Sequence, residues 1–180
     1  MCLLGRQMET IYIQLVNSLQ ELVSLYGSLF DLLQKERLIL INSDIEKLTD
    51  SNKTKEAILY KIRSIDKQRS LHAQELAKLL GLDKAQTRLL QLADKLGPTR
   101  KTETEQLRQL HKTLSMQIER VVELNAENEN YTKTVLRILN GAIEDIKEAA
   151  VGAKKKTYGK QGQTEQSHAQ QSGNFVSKEA

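Results

Sequence analysis

The stretch that decides the fold runs from Thr102 to Ala150 and reads TETEQLRQLHKTLSMQIERVVELNAENENYTKTVLRILNGAIEDIKEAA. Its apolar residues recur at steps of three and four, the spacing of one face of an α-helix. This stripe consists of Leu107, Leu110, Leu114, Ile118, Val121, Leu124, Val135, Leu139, Ala142 and Ile146. The pattern predicts one very long helix, which cannot bury its apolar side without partner helices.

Two earlier segments carry the same spacing. The first helix is predicted from Glu9 to Ile41. The second is predicted from Asp44, because Ser43 and Glu46 have the spacing of a capping box at a helix start. The break between the two helices is short, which favours an antiparallel pair.

A third, shorter helix is predicted before the long one. Gly81 ends the second helix in the manner of a C-cap. Asp83 and Gln86 are expected to start the short helix, which Gly97 and Pro98 end. The fold class is therefore all-α: an elongated antiparallel helical hairpin or bundle with a long C-terminal helix and a disordered tail.

The domain organisation follows from where the periodicity begins and ends. Residues 1–8 are predicted to be a disordered N-terminal extension, with Met1 to Gln7 upstream of the protein's own start at Met8. Residues 9–150 form the helical domain. Residues 151–180 are predicted to be a flexible polar tail, because they lack enough apolar side chains to offset the entropy of an ordered chain.

The composition argues against several classes of function. The net charge is +4, of which +3 lies in the tail, so the helical body has no strong field for nucleic acid. The single cysteine, Cys2, fits a reducing cytosol. Residues 1–4 are too short for a signal-peptide core, and no segment has the apolar length of a membrane span. We therefore expect a cytoplasmic protein without membrane insertion.

The sequence contains no convergent catalytic or metal-binding residues. His72, His111 and His168 lie far apart and lack metal-ligand spacing. The segment from Gly152 to Lys160 has six residues between its glycines, whereas a phosphate-binding loop needs four. We expect a protein that is not an enzyme and holds no cofactor.

Several residues have two interpretations. Most stripe residues are expected in the core, but Val135, Leu139, Ala142, Ile143 and Ile146 lie beyond what the short third helix can cover, and an exposed apolar strip binds amphipathic helices. Asn125 and Asn128 either fix the register of a buried seam, which we prefer, or cap a partner groove.

Two features of the tail are also ambiguous. Lys154, Lys155 and Lys156 are either a solvated helix end, which we prefer, or a weak site for phosphates of nucleic acid or lipid. Tyr158, the aromatic residue of this lysine-rich part, is either incidental or a recognition anchor.

Several short motifs recur along the chain in a recognisable order: Leu32-Leu33, Glu36-Arg37, Asp44, Leu48, Lys55, Ile58-Leu59, Arg69, Leu124-Asn125-Ala126-Glu127-Asn128 and the tail segment Tyr158-Gly159-Lys160-Gln161-Gly162-Gln163. This order of features resembles the FlgN-like flagellar export chaperones, over roughly residues 10 to 165. Residues 164–180 and the additional N-terminal residues depart from this pattern.

The resemblance implies a cytoplasmic chaperone that binds the C-terminal helical region of hook–filament junction proteins. It implies that the chaperone prevents their premature assembly and delivers them to the gate of the type III export apparatus. The client-binding residues implied are Asn128, Val135, Leu139, Ala142, Ile143 and Ile146, and Tyr158 is implied in docking on the export gate. The alternative is a coiled-coil structural or adaptor protein that uses its stripes for self-association.

Overall fold

The computed structural model describes residues 2–82 and 87–154, with side chains described for residues 5–82 and 87–150. The described residues form four α-helices and no strand: α1 (Cys2–Ile41), α2 (Ile45–Leu79), α3 (Leu89–Leu96) and α4 (Lys101–Lys154). The chain divides after Thr132 into two compact units. The predicted all-α fold with a long C-terminal helix is confirmed.

The contacts between helices fix their directions in the first unit. Ser18 of α1 lies 3.3 Å from His72 of α2, and Glu36 lies 2.5 Å from Lys55, so α1 and α2 are antiparallel. Between α1 and α4, the Tyr12 hydroxyl donates a hydrogen bond to Gln106, and the Asn128 side chain donates one to the Leu33 carbonyl. From the first of these contacts to the second, the residue numbers increase on both helices, so α4 runs parallel to α1.

The core consists mainly of leucines on all four helices. Helix α1 contributes a buried residue at every seventh position through Leu15, Leu22 and Leu29, and α4 does the same with Leu107, Leu114 and Val121. The other buried contributors include Ile62 and Leu76 of α2 and Leu89, Leu92 and Leu96 of α3. A seven-residue apolar repeat is the pattern of coiled-coil packing, in which successive layers of side chains interlock.

The turn between α1 and α2 differs from the sequence prediction. Ser43 has φ = 54° and follows the end of α1, and its N–H bonds the Leu40 carbonyl. A residue in this left-handed conformation ends a helix and cannot also have the extended conformation of an N-cap. Asp44 is the N-cap instead, and its carboxylate accepts the N–H of Lys47 at 3.1 Å. The predicted capping box of Ser43 and Glu46 is therefore wrong.

The capping of α2 by Asp44 also has an electrostatic component. Hydrogen bonds from Lys47, first from its side chain and then from its backbone, lower the pKa of the Asp44 carboxyl. Negative charge at this end also complements the helix dipole. One acidic residue therefore serves both as hydrogen-bond acceptor and as favourable charge at the start of α2.

The predicted helix ends at Gly81 and Gly97 are confirmed, but the start of α3 is not. Gly81 has φ = 69°, and the next residue, Leu82, donates its N–H to the Ala77 carbonyl, as in a Schellman motif. Helix α3 begins at Leu89, after non-helical residues 87 and 88. Asp83 and Gln86, the predicted start, lie outside the described residues.

The outer limits of the first and last helices also differ from prediction. Helix α1 starts at Cys2, so residues 2–8 are helical where a disordered extension was predicted. The physical reason is that nothing interrupts the helix there, while Met8 packs against the core. Helix α4 continues to Lys154, so residues 151–154 are helical. The remainder of the predicted flexible tail, residues 155–180, lies outside the described residues.

Tyr12 joins the start of α4 to α1. Its hydroxyl donates to Gln106 Oε1 at 2.7 Å, and the Glu103 carbonyl oxygen lies 3.1 Å away. Burial, and then the charge of Glu103, raise the pKa of Tyr12 to about 12, against the opposing effect of Arg100. The neutral phenol is therefore the form that stabilises this junction.

We predict that the stabilisation by Tyr12 is lost at alkaline pH. The pKa is raised in the folded state, so the contribution is complete below the unfolded value of 10.0 and decreases as pH rises towards about 12. The free energy of unfolding, measured with urea between pH 8 and pH 12, should be higher for the wild type than for Tyr12→Phe. This difference should decrease as the pH rises. A constant difference across that range would contradict the prediction.

Gly27 offers a test of helix propensity. It lies within α1, and a Cβ built there meets no atom within 4 Å. Gly27→Ala should therefore stabilise the protein by ~0.5–1 kcal/mol, raising its melting temperature by about 2–4 °C per kcal/mol. Circular dichroism melting is the measurement.

The control is Gly81→Ala. Gly81 also has open space around it, but its positive φ opposes an L side chain. This substitution should lower the melting temperature. If both substitutions shifted the melting temperature in the same direction, backbone conformation would not determine the effect of replacing these glycines.

Candidate protein-binding site

The second unit begins at Lys133 and contains the last part of α4. Its large apolar side chains are exposed: Leu136 by 54%, Ile138 by 63%, Leu139 by 53%, Ile143 by 48% and Ile146 by 69%. Ala142 is also exposed, and Val135 is half-buried. An exposed set of this size on one helix is typical of a surface that binds another protein.

These residues form one continuous apolar surface, which we call the distal stripe. At 3.6 residues per turn, Val135, Leu139, Ala142 and Ile146 lie within roughly 60° of one another around the helix. Leu136 and Ile143 extend the surface on one side, and Ile138 extends it on the other, to a total of roughly 160°. The opposite side carries Lys133, Arg137, Glu144, Lys147 and Glu148.

Leu136 and Ile138 were missed by the sequence analysis. A search that follows only steps of three and four residues selects the apolar residues at the centre of a helical stripe and omits those at its sides. A projection of every apolar residue from 133 to 150 around the helix would have found both. They widen the exposed apolar surface to roughly 160° of the helix circumference.

Helices α1 and α4 differ in how many residues follow their contact at Leu33 and Asn128. The contact between Leu33 and Asn128 sets the alignment of the two helices. Helix α1 ends at Ile41, eight residues after Leu33, whereas α4 ends at Lys154, 26 residues after Asn128. The sequence therefore continues the apolar pattern on α4 well beyond the residues that α1 has left to match it.

Asn128 occupies the core of the first unit. It is 3% exposed, and its Nδ2 donates to the Leu33 carbonyl at 2.9 Å. Beside it, Glu127 forms an ion pair with Arg37. This placement supports the preferred interpretation, in which Asn128 fixes register. The side chain of Asn128 is enclosed by this chain, and its contact with a client stays a prediction.

Asn125 and the tail residues differ from Asn128 in what the structure describes of them. Asn125 is exposed and lies on the surface of the first unit. Lys154 is the last residue of α4, and its side chain is outside the description. Lys155, Lys156 and Tyr158 lie outside the described residues, so both interpretations of the lysines and the role of Tyr158 remain predictions.

The described side chains do not assemble a reactive centre from the remaining candidates. His72 faces Ser18 between α1 and α2, while His111 is half-buried on α4 and His168 lies outside the description. Within residues 2–82 and 87–154, no three His, Cys, Asp or Glu residues lie close enough together to hold a metal ion. None of the described helices is long and apolar enough to cross a membrane.

The described residues define a class of protein: an all-α protein with exposed apolar side chains along its last helix. A comparison with protein-family models matches residues 8–166 to the family described as FlgN protein. The chain belongs to the FlgN family, whose members are flagellar export chaperones and not enzymes. Searches of curated proteins and of solved structures find no match for the chain.

Proposed function

We infer that this protein is a cytoplasmic export chaperone that binds the C-terminal helical region of a hook–filament junction protein on its distal stripe. Binding covers the client's apolar helix, prevents premature assembly and allows delivery to the type III export gate. The observation that supports this proposal most is the exposure of Leu136, Ile138, Leu139, Ile143 and Ile146 on a helix whose earlier stripe is buried or half-buried.

The chemistry of the stripe specifies the kind of client. Its central residues are all aliphatic, and they lie along one helical face. An amphipathic helix matches such a surface, because its apolar residues recur at the same steps of three and four. A junction protein whose terminal helices pair in the assembled filament would expose such a helix before assembly.

The available energy is adequate for specific binding. Full burial of a leucine or isoleucine side chain contributes ~1.5–3 kcal/mol, and these side chains are about half exposed, so each offers roughly half of that. Six or seven of them together are comparable to the ~4–15 kcal/mol cost of association. Flanking contacts therefore decide the final affinity, and no nucleotide is needed for release if the export apparatus pulls on the client.

The first test places a charge in the stripe. Leu139→Asp or Ile143→Asp should weaken binding of a junction-protein C-terminal peptide at least ten-fold, because the complex would bury an unpaired carboxylate. Isothermal titration calorimetry measures the affinity, and circular dichroism verifies that the chain stays helical.

The matched control is Asn140→Asp, which adds the same charge next to Leu139 but roughly 120° from the centre of the stripe. It should bind the peptide like the wild type. Wild-type affinity in both stripe variants would remove this site. Light scattering on the same samples distinguishes the alternative function, since a stable homodimer that excludes the peptide would indicate a self-associating coiled-coil protein.

We also propose that Tyr158 contacts the cytoplasmic domain of the export gate. The proposal rests on the family resemblance of the segment from Tyr158 to Gln163, which lies outside the described residues. It follows α4 in sequence, so a chain carrying a client on the distal stripe would present this segment next to its cargo.

Tyr158→Ala should reduce secretion of the client in cells while leaving peptide affinity in vitro unchanged. Tyr158→Phe separates the two parts of the side chain, because it retains the ring and removes the hydroxyl. Normal secretion by Tyr158→Ala would refute the docking role without affecting the proposed client site.

A further inference from the structure

Helix α4 carries a seven-residue repeat that continues through both units. Its members are Leu107, Leu114, Val121, Asn128, Val135 and Ala142. The first four are buried, with exposures of 0%, 9%, 8% and 3%. Asn128 is the one polar residue in this series. A strict seven-residue repeat can be displaced by seven residues and still place apolar side chains in the seam, so the repeat alone does not define a unique register.

Helix α1 has a matching series that also ends in a polar residue. Leu15, Leu22 and Leu29 are followed at the same interval by Glu36, which is 7% exposed. Glu36 Oε2 lies 2.5 Å from Lys55 Nζ of α2. The two groups form an ion pair, but their orientation does not meet the geometry of a hydrogen bond. Asn128 bonds the backbone of Leu33, one turn before Glu36. Both repeats therefore become polar at the same end of the bundle.

We call Glu36, Lys55 and Asn128 the polar layer. Ser51, one turn before Lys55 on α2, is buried as well. Asn128 Oδ1 and Ser51 Oγ are buried, and neither makes a hydrogen bond within the described residues. Apolar side chains of similar size would pack here without this cost, so the layer does not maximise stability. Polar groups in a coiled-coil seam are best attested as determinants of register.

We propose that Asn128 is a positioning residue that fixes the register of α4 on the α1–α2 hairpin. A displacement of seven residues towards the start of α4 would move Asn128 to the apolar position that Val121 occupies, near Leu29. Its amide would then lose the Leu33 carbonyl without gaining another partner. The same displacement would place the apolar side chain of Val135 where Asn128 now donates to the Leu33 carbonyl.

No strong feature of α3 opposes such a displacement. Thr104 Oγ1 bonds the Ala93 carbonyl at 3.2 Å, and Arg108 pairs with Asp94 at 2.8 Å, so α3 is tied to α4. The leucines Leu89 and Leu96 of α3 are themselves seven residues apart. The polar layer, together with the Tyr12–Gln106 hydrogen bond and the Arg37–Glu127 ion pair, therefore distinguishes one register of the seam from the next.

The register matters for function because it sets how much of α4 remains free. In the displaced register Val135 would enter the bundle and the distal stripe would be shorter. This consequence rests on the proposed function, but the register itself is measurable without any client. An experiment can therefore disprove the proposed register while leaving the proposed client binding intact, or the reverse.

The experiment measures register with a pair of spin labels. Cysteines replace the exposed residues Gln20 on α1 and Glu123 on α4, in a Cys2→Ser background, and double electron–electron resonance gives the distance between them. The wild-type seam should give one distance. Asn128→Leu should add a second, shorter population, since displacement by seven residues moves α4 by roughly 10 Å along its axis.

Asn125→Leu is the matched control. It makes the same change of side chain three residues away, at an exposed position, and should give only the wild-type distance. A single unchanged distance in Asn128→Leu would overturn the proposal, as would an equal second population in Asn125→Leu. Where Asn128→Leu displaces half of the molecules, its affinity for the client peptide should fall about two-fold, because the apparent dissociation constant scales inversely with the competent fraction.

Discussion

The unequal length of α1 and α4 is the constraint on which the rest of this structure depends. The two helices run parallel and share a seam of leucine layers, and α1 ends at Ile41. Helix α4 continues to Lys154 with its apolar period intact. Burial of apolar surface drives folding, so a sequence that retains leucines and isoleucines at exposed positions has not been selected for stability at those positions.

The polar layer shows a second departure from maximal stability. Buried ion pairs are often no better than apolar side chains of the same volume, because removing the charges from water offsets their attraction. Glu36, Lys55 and Asn128 therefore need a reason other than stability. Uniqueness of register is such a reason in a seam built from a seven-residue repeat.

Much of the fold could be predicted from the sequence, because helical periodicity and glycine caps are local signals. The hairpin, the ends at Gly81 and Gly97 and the long last helix all follow from residues a few positions apart. The errors occurred where two local signals compete. Ser43 and Asp44 both favour a helix start, and only the left-handed conformation required to end α1 assigns the cap to Asp44. Residues 2–8 lack a strong pattern and are helical in continuity with α1.

The candidate site was predictable in part. The centre of the distal stripe follows from periodicity, but exposure depends on which helices pack together, and this is a property of the tertiary fold. For that reason the sequence could not separate Asn128, which is enclosed by α1, from Leu139, which is exposed. The flanks at Leu136 and Ile138 required the full helical projection, since neither lies on the central line of the stripe.

The continuity of α4 has a consequence for how its distal part becomes helical. Formation of an isolated helix in water is opposed by the cost of nucleating its first turn. The distal part of α4 avoids that cost, since the buried turns before it already provide the nucleus and each further residue only propagates the helix. Gly141 weakens it by ~1 kcal/mol relative to alanine. The distal stripe is thus part of a helix that has already formed, and its ordering entropy was lost during folding.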